Sequence, residues 1–207
     1  LLVNRAHLLP LLACACLVGC NQSGEVIIRN DADFVGVNKE VRELSEKPMA
    51  KFDANQPLDP TDVQALKKAL KLIDGMIAYT PDNFSLYLNA GTFNIALEDG
   101  PAAVSKFESF QQYIPNDLKP ELKPLVTNGF YQFAIALFSV QRYAGADTAI
   151  TRALQDEPNN ATYLALRGSI RVQDKRIPEA IPDLKKALKI NPSSKRAADL
   201  LKLLERK

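Results

Sequence analysis

Apolar residues recur along this chain at alternating three- and four-residue spacing, in stretches separated by short polar or proline-containing turns, which is the pattern of amphipathic helices. Val63, Leu66, Leu70, Ile73 and Ile77 form one such stripe, on a helix that Pro60 opens and Asp59 caps. The stripes then repeat. Pro81, Pro115, Pro158 and Pro192 close successive stretches and lie 34, 43 and 34 residues apart. Aligned on those prolines, Tyr87, Phe130 and Leu164 share a column, as do Gly91, Ala134 and Gly168. Ala103, Ala146 and Ala180 make a third column, and Phe107, Ile150 and Leu184 a fourth. The predicted architecture is all-α, in helix-turn-helix units over residues 84–117, 127–160 and 161–194.

The columns have a physical reason. A pair of antiparallel helices cannot bury its apolar stripe alone and must stack on its neighbours. Small residues let the two helices of a pair approach, bulky ones fill the gap between pairs, and the closing proline cannot continue a helix. Pro101 and Pro178 fall in the first turn of second helices, where a missing amide donor costs nothing. This order of large, small, alanine, bulky apolar and proline resembles the tetratricopeptide repeat. The resemblance implies a solenoid of about three to four repeats acting as a protein-binding scaffold.

Several positions depart from the repeat. Asn94, Leu137 and Arg171 occupy a column that usually holds tyrosine, and Phe110 stands where Ala153 and Ala187 are small, which predicts irregular packing around the first unit. The longer spacing places its extra residues at 116–124, as a proline-bracketed loop or a lengthened helix start. Pro182 falls inside a predicted helix and is expected to kink it. Residues 58–83 fit the second half of a unit whose first half is unrecognisable. At the other end, residues 194–207 alternate Ala197, Leu200, Leu201 and Leu204 with lysine and arginine, as a polar-faced capping helix does.

Residues 1–19 carry Arg5, an apolar run over 8–17 and then Leu17, Val18 and Gly19 before Cys20. This resembles a bacterial lipoprotein signal peptide with its lipobox. The resemblance implies cleavage before Cys20, acylation of that cysteine and a membrane-anchored protein on the periplasmic or extracellular face. The apolar run is too short to span a bilayer of ~30 Å. Residues 20–57 then read in two ways. As an unstructured tether of ~38 residues they would span about 35 Å. Alternatively, Val37, Val41 and Leu44 with Glu40, Glu43 and Glu46 form an amphipathic helix that docks on the repeats.

Composition removes much chemistry from the mature chain. The three cysteines, Cys14, Cys16 and Cys20, and the single histidine, His7, all lie at or before position 20. Nucleophilic triads and ordinary zinc sites both require imidazole or thiolate. The acid pairs Glu98–Asp99 and Asp156–Glu157 stand at predicted helix ends, where solvated turn carboxylates are the simpler reading. The stretch from Asp31 opens like a calcium loop, but Val35 replaces a ligand and Arg42 the closing glutamate. Asn83 and Asn160 read as helix starts. The chain carries 26 basic and 24 acidic residues. Residues 185–207 hold eight of the basic and two of the acidic. A basic terminal helix also complements its own dipole, and without basic-aromatic interleaving no nucleic acid partner is expected. No catalytic residue, metal, cofactor or small-molecule substrate is predicted.

Function is therefore expected on the first helices. The tetratricopeptide resemblance places a concave surface at the second, fifth, ninth, twelfth and thirteenth positions of each unit. Here these include Leu88, Thr92, Ile95, Tyr131, Ile135, Phe138, Ser169 and Val172. The lining is uncharged, so it suits a helical or extended apolar peptide of another envelope protein. It lacks the lysine and asparagine with which chaperone-binding members grip a carboxylate. Residues 25–57 are the alternative occupant. Two other functions stay open on the sequence: a lipoprotein enzyme or activator of a peptidoglycan-acting enzyme, and a purely structural anchor. Asn21 and Gln22 leave the choice between inner and outer membrane undecided.

Overall fold

The computed structural model describes residues 26–204. Cys20, the preceding signal segment and His7 lie outside them. The described residues divide into two compact units, 26–83 and 84–204. In the first, α1 (Asp31–Asp53) packs on α2 (Pro60–Tyr79). In the second, α3 (Phe84–Ala96) pairs with α4 (Gly100–Gln112), α5 (Lys123–Ser139) with α6 (Tyr143–Asp156), and α7 (Ala161–Gln173) with α8 (Ile177–Ile190). The chain closes on α9 (Lys195–Leu204). Within unit two, α4 also packs on α5, α6 on α7 and α8 on α9. This is the all-α helix-turn-helix repeat expected from the columns.

Residues 31–53 take the helical reading. Asn30 caps α1 by accepting from the Asp33 amide, and Val37, Val41 and Pro48 are buried. The helix is the missing first half of the pair that ends at Pro81. Its termination shows the kinship. The Gln56 amide reaches back to the Lys51 carbonyl and the Asn55 amide to that of Phe52. The same crossed pair of bonds closes α3 at Glu98 and Asp99, α5 at Gln141 and Arg142, and α7 at Lys175 and Arg176. This is the Schellman motif, whose first residue beyond the helix is left-handed and usually glycine. Here Asn55, Glu98, Gln141 and Lys175 hold it, with φ of 54°, 59°, 61° and 62°.

Proline works at the other end of each pair. The amides of Asn83, Asn160 and Ser194 donate to the carbonyls of Thr80, Glu157 and Asn191, so Pro81, Pro158 and Pro192 each occupy the second position of a tight turn. Pro115 instead enters a loop over residues 113–119, followed by a 3-10 turn at Pro120–Leu122. Helix α5 then starts at Lys123, ahead of Thr127, so the inserted residues are shared between a loop and a lengthened helix. Helix α8 runs unbroken through Pro182.

The small columns hold helices close. A Cβ on Gly91 would fall 2.8 Å from the Phe107 ring, and one on Gly168 2.6 Å from Leu184. Phe110 is fully buried despite its place in a small-residue column. Gly129 makes the room: a Cβ there would fall 2.9 Å from Cε1 and Cε2 of Phe110 and closer still to Cζ. Rings of Phe84, Phe107 and Phe130 surround Phe110 at centroid distances of 6.1, 6.3 and 5.8 Å, and Phe107 stacks on Phe133 at 5.8 Å. The expected irregularity is thus resolved within one matched pair. In α2 the buried stripe is Leu66, Ala69, Leu72, Ile73 and Met76, while Val63, Leu70 and Ile77 are only half-buried. In α9, Ala197 and Leu201 are buried and Leu200 and Leu204 are not.

An ionic network runs through the third pair of unit two and across its joint with the second. Arg171, in the column that usually holds tyrosine, bonds Asp147 of α6 at 3.0 Å and Asp183 of α8 at 2.9 Å. Arg167 grips Asp183 through two nitrogens, at 2.8 and 2.7 Å. Arg176 adds a second bond to Asp147 at 3.0 Å. Donation to Asp183 holds the Arg167 guanidinium above its ordinary range, against the opposing effect of burial.

Candidate peptide-binding surface

In unit two α3 touches α5 and α7 touches α9. The predicted groove residues divide by exposure. Ile95, Tyr131, Ile135, Phe138 and Val172 are half-buried, and Thr92 is half-buried with its hydroxyl donating to the Leu88 carbonyl at 2.9 Å. Leu88 and Ser169 are buried, at 3% and 8% exposure, and do not line an open surface. Leu88 belongs to the core, and the Ser169 hydroxyl is spent on the Ala165 carbonyl at 2.7 Å. Ser139 likewise donates to Ala136. These hydroxyls are bonded to their own helices, and Asn128, Ser139, Thr162 and Gln173 at the same repeat positions are exposed, so the surface is uncharged and mixes half-buried apolar side chains with exposed polar ones.

Aromatic rings organise its middle. Tyr131 stacks on Tyr163 at 4.9 Å, and Phe138 meets Tyr143 at 5.8 Å. Burial raises the Tyr131 hydroxyl, an effect that the positive charge of Arg196 opposes. Burial also pushes the Tyr163 hydroxyl up to about 12, with Glu157 and Tyr131 adding to it. Both phenols therefore stay neutral near neutral pH. Sequence columns did not point to Tyr163 or Arg196. The basic character of residues 185–207 was the available signal for Arg196.

The acid pairs have structural work. Asp99 caps α4 by accepting from the Ala102 amide, and Glu157 accepts from Asn160, the cap of α7. Asp156 is held below its usual range: burial raises it, but bonds from Lys123, Thr127 and Arg152 prevail. Asp31 accepts from the Tyr79 hydroxyl at 2.9 Å and sits in the first turn of α1. Among the described residues no group of three or more histidine, cysteine, aspartate or glutamate side chains is placed to hold a metal, and no helix is long and apolar enough to cross a membrane.

Two cavities lie away from the predicted groove. One of about 570 Å³ sits among α4, α5 and α6, floored by Phe130, Phe133 and Leu137. Arg152 lies over the Phe130 ring at 5.5 Å, and Arg142 pairs with Glu108 at 2.8 Å on the rim. The other, of about 680 Å³, lies in unit one against α2, between Val26, Ile27 and Ile28 on one side and Lys71, Gly75, Ala78 and Tyr79 on the other.

No family profile and no curated protein sequence matches the chain. Solved structures do. A crystal structure of MamA aligns over 68% of this chain and 79% of its own, at TM-score 0.58 and 17% identity. MamA residues 41 to the end from Desulfovibrio magneticus RS-1 align over 74% of this chain and 76% of theirs, at TM-score 0.55 and 15% identity. The APC/C hetero-tetramer Cut9–Hcn1 aligns over 83% of this chain and 32% of its own, at TM-score 0.61 and 18% identity. MamA and Cut9 are tetratricopeptide-repeat proteins, so the likeness establishes the repeat fold.

Proposed function

We propose that this chain is a lipid-anchored protein–protein interaction scaffold of the bacterial cell envelope, without catalytic activity of its own. The repeat fold supports the scaffold reading, and the lipobox-like Leu17-Val18-Gly19-Cys20 supports the anchor. The observation that carries the binding mode is the accessible face of the first helices. Ile95, Tyr131, Ile135, Phe138 and Val172 form a half-buried, uncharged run, while the neighbouring hydroxyls are bonded to their own backbones. Such a face takes the apolar side of a helix or an extended peptide of an envelope protein, recognised by side chains spaced along one edge. Arg196 supplies the cation near Tyr131.

In-cell photo-crosslinking from a probe at Phe138 of the full-length protein, read by mass spectrometry, tests the binding mode. A discrete envelope protein as the adduct, lost in an Ile135→Asp background, is the expected result. Adducts confined to residues 25–57 of the same chain would refute it. The anchor is tested separately by acyl labelling that Cys20→Ser abolishes.

A further inference from the structure

We infer that the cavity among α4, α5 and α6 is a second docking site, which takes an aromatic or leucine side chain of a partner polypeptide together with an acidic residue beside it. The site lies apart from the first-helix face and does not rest on that face being occupied. The repeat itself supplies the comparison. One unit further along, the same place falls among α6, α7 and α8, and there the chain fills it with its own side chains. Arg167 and Arg171 leave α7 and bridge the flanking helices, bonding Thr151 and Asp147 of α6 and Asp183 of α8. Both are largely buried, at 19% and 16% side-chain exposure. Their counterparts 34 residues earlier are Phe133 and Leu137, and the counterpart of Asp183 is Ala149. These three residues build no bridge. They line a space of about 570 Å³, within the range of about 300–1,000 Å³ usual for binding pockets.

A glycine marks the wall of this space. Gly91, Gly100, Gly129 and Gly168 each face an atom that a Cβ would approach within 3.0 Å, so close packing accounts for them. A Cβ on Gly145 would meet only the Leu137 methyl groups, at 3.5 and 3.6 Å, which is ordinary contact. Packing does not demand a glycine there, and Gly145 lines the cavity. Charge selects what enters. The lining carries two guanidiniums, Arg142 and Arg152, against one carboxylate, Glu108. Arg142 bonds Glu108 and Arg152 bonds Asp156, each through a single nitrogen, so both keep N–H donors for a further anion. Arg152 lies over the Phe130 ring at 5.5 Å, so an apolar side chain seated on the Phe130–Phe133 floor brings a neighbouring carboxylate to a guanidinium. A lysine or arginine of the partner would meet like charge instead.

Random peptides displayed on phage are selected against the full-length protein, and the enriched ones are synthesised with a fluorophore and titrated by anisotropy. The expected peptides carry an aromatic residue or leucine beside an aspartate or glutamate. Their binding should persist in Gly145→Ala, which adds one methyl group, and be lost in Gly145→Met and in Thr148→Trp, which fill the cavity from two positions on α6. Thr148 is exposed, so its variant tests the site even where Gly145→Met fails to fold. Arg152→Gln should weaken binding about tenfold, as should changing the peptide's acid to its amide, and the two losses should not add. Peptides that bind both filled variants as tightly as the native protein overturn the inference, as do peptides indifferent to Arg142→Gln, to Arg152→Gln and to their own acid. Peptides lost only in Ile135→Asp overturn it while supporting the first-helix face. Failure to enrich any peptide overturns both sites.

Discussion

Gly129→Ala should change sign with its surroundings. In the native protein an alanine methyl would collide with the Phe110 ring, 2.9 Å from two of its carbons and nearer to a third. Phe110 has no exposed surface and is walled by Phe84, Phe107 and Phe130, so it has nowhere to turn. Overpacking of this kind costs about 1–3 kcal/mol, and alanine returns about 1 kcal/mol of helix propensity. The net is a loss of up to about 2 kcal/mol. Phe110→Ala empties the space at a cost of about 3–5 kcal/mol. In that background the collision is gone, and Gly129→Ala should stabilise by about 1 kcal/mol through propensity and partial filling of the void. Thermal unfolding followed by circular dichroism reads this directly, at about 2–4 °C per kcal/mol for a chain of this size. Gly129→Ala melts below the native protein, and the double variant melts above Phe110→Ala. If Gly129→Ala is neutral or stabilising in both backgrounds, the ring is not locked and the proposed complementarity is wrong.

Other expectations follow from the same contacts. Asp183→Ala removes both carboxylate bonds of Arg167 and leaves Arg171 with Asp147 and the Glu179 carbonyl, so urea unfolding should show a loss of about 2–3 kcal/mol, below the full penalty for breaking a buried pair because Arg171 keeps partners. Gln141→Gly and Lys175→Gly relieve left-handed residues and should each raise stability by about 1 kcal/mol, whereas Asn55→Gly gains less because asparagine tolerates that conformation. The ammonium of Lys51 and the Asp62 amide hold the Asp59 carboxyl well below the usual range, and Asp156 is also depressed. Depressed folded values mean that both contribute stability above the unfolded value near 3.9, which is lost as pH falls through the folded ones. Lys51→Met should therefore flatten the acid limb of a stability–pH curve measured between pH 5 and 2.

The repeat pairs were legible because their grammar is local. Gly91 against Phe107 and Gly168 against Leu184 recur at one separation, so alignment on the prolines exposes them. Helix α1 was harder to read: its buried stripe is sparse, includes Ser45 and Pro48, and has no column in common with the later units. Phe110 stood out as a departure, but its partner Gly129 lies across the inserted loop, and nothing in the spacing joins them. Arg171 was likewise visible only as an oddity. Its carboxylate partners are 24 and 12 residues away, and only packing reveals that they meet. On the candidate surface, the tetratricopeptide resemblance pointed to the accessible Ile95, Ile135 and Phe138. It could not tell that Leu88 is drawn into the core or that Ser169 bonds back to its own helix.

The α4–α5 joint is built mainly on aromatic rings, the α6–α7 joint adds a carboxylate–guanidinium network beside its Tyr131–Tyr163 stack, and temperature acts on rings and ions in opposite directions. Apolar contact of the kind that joins α4 to α5 through Phe107, Phe110, Phe130 and Phe133 weakens on cooling. The penalty for dehydrating ions, which burdens the Asp147–Arg171–Asp183 joint, falls on warming. Cold should loosen the first joint more than the second, and strong salt should act mainly on the second. A partner that lies across α3, α5 and α7 therefore meets a surface whose two seams answer differently to the same change of conditions.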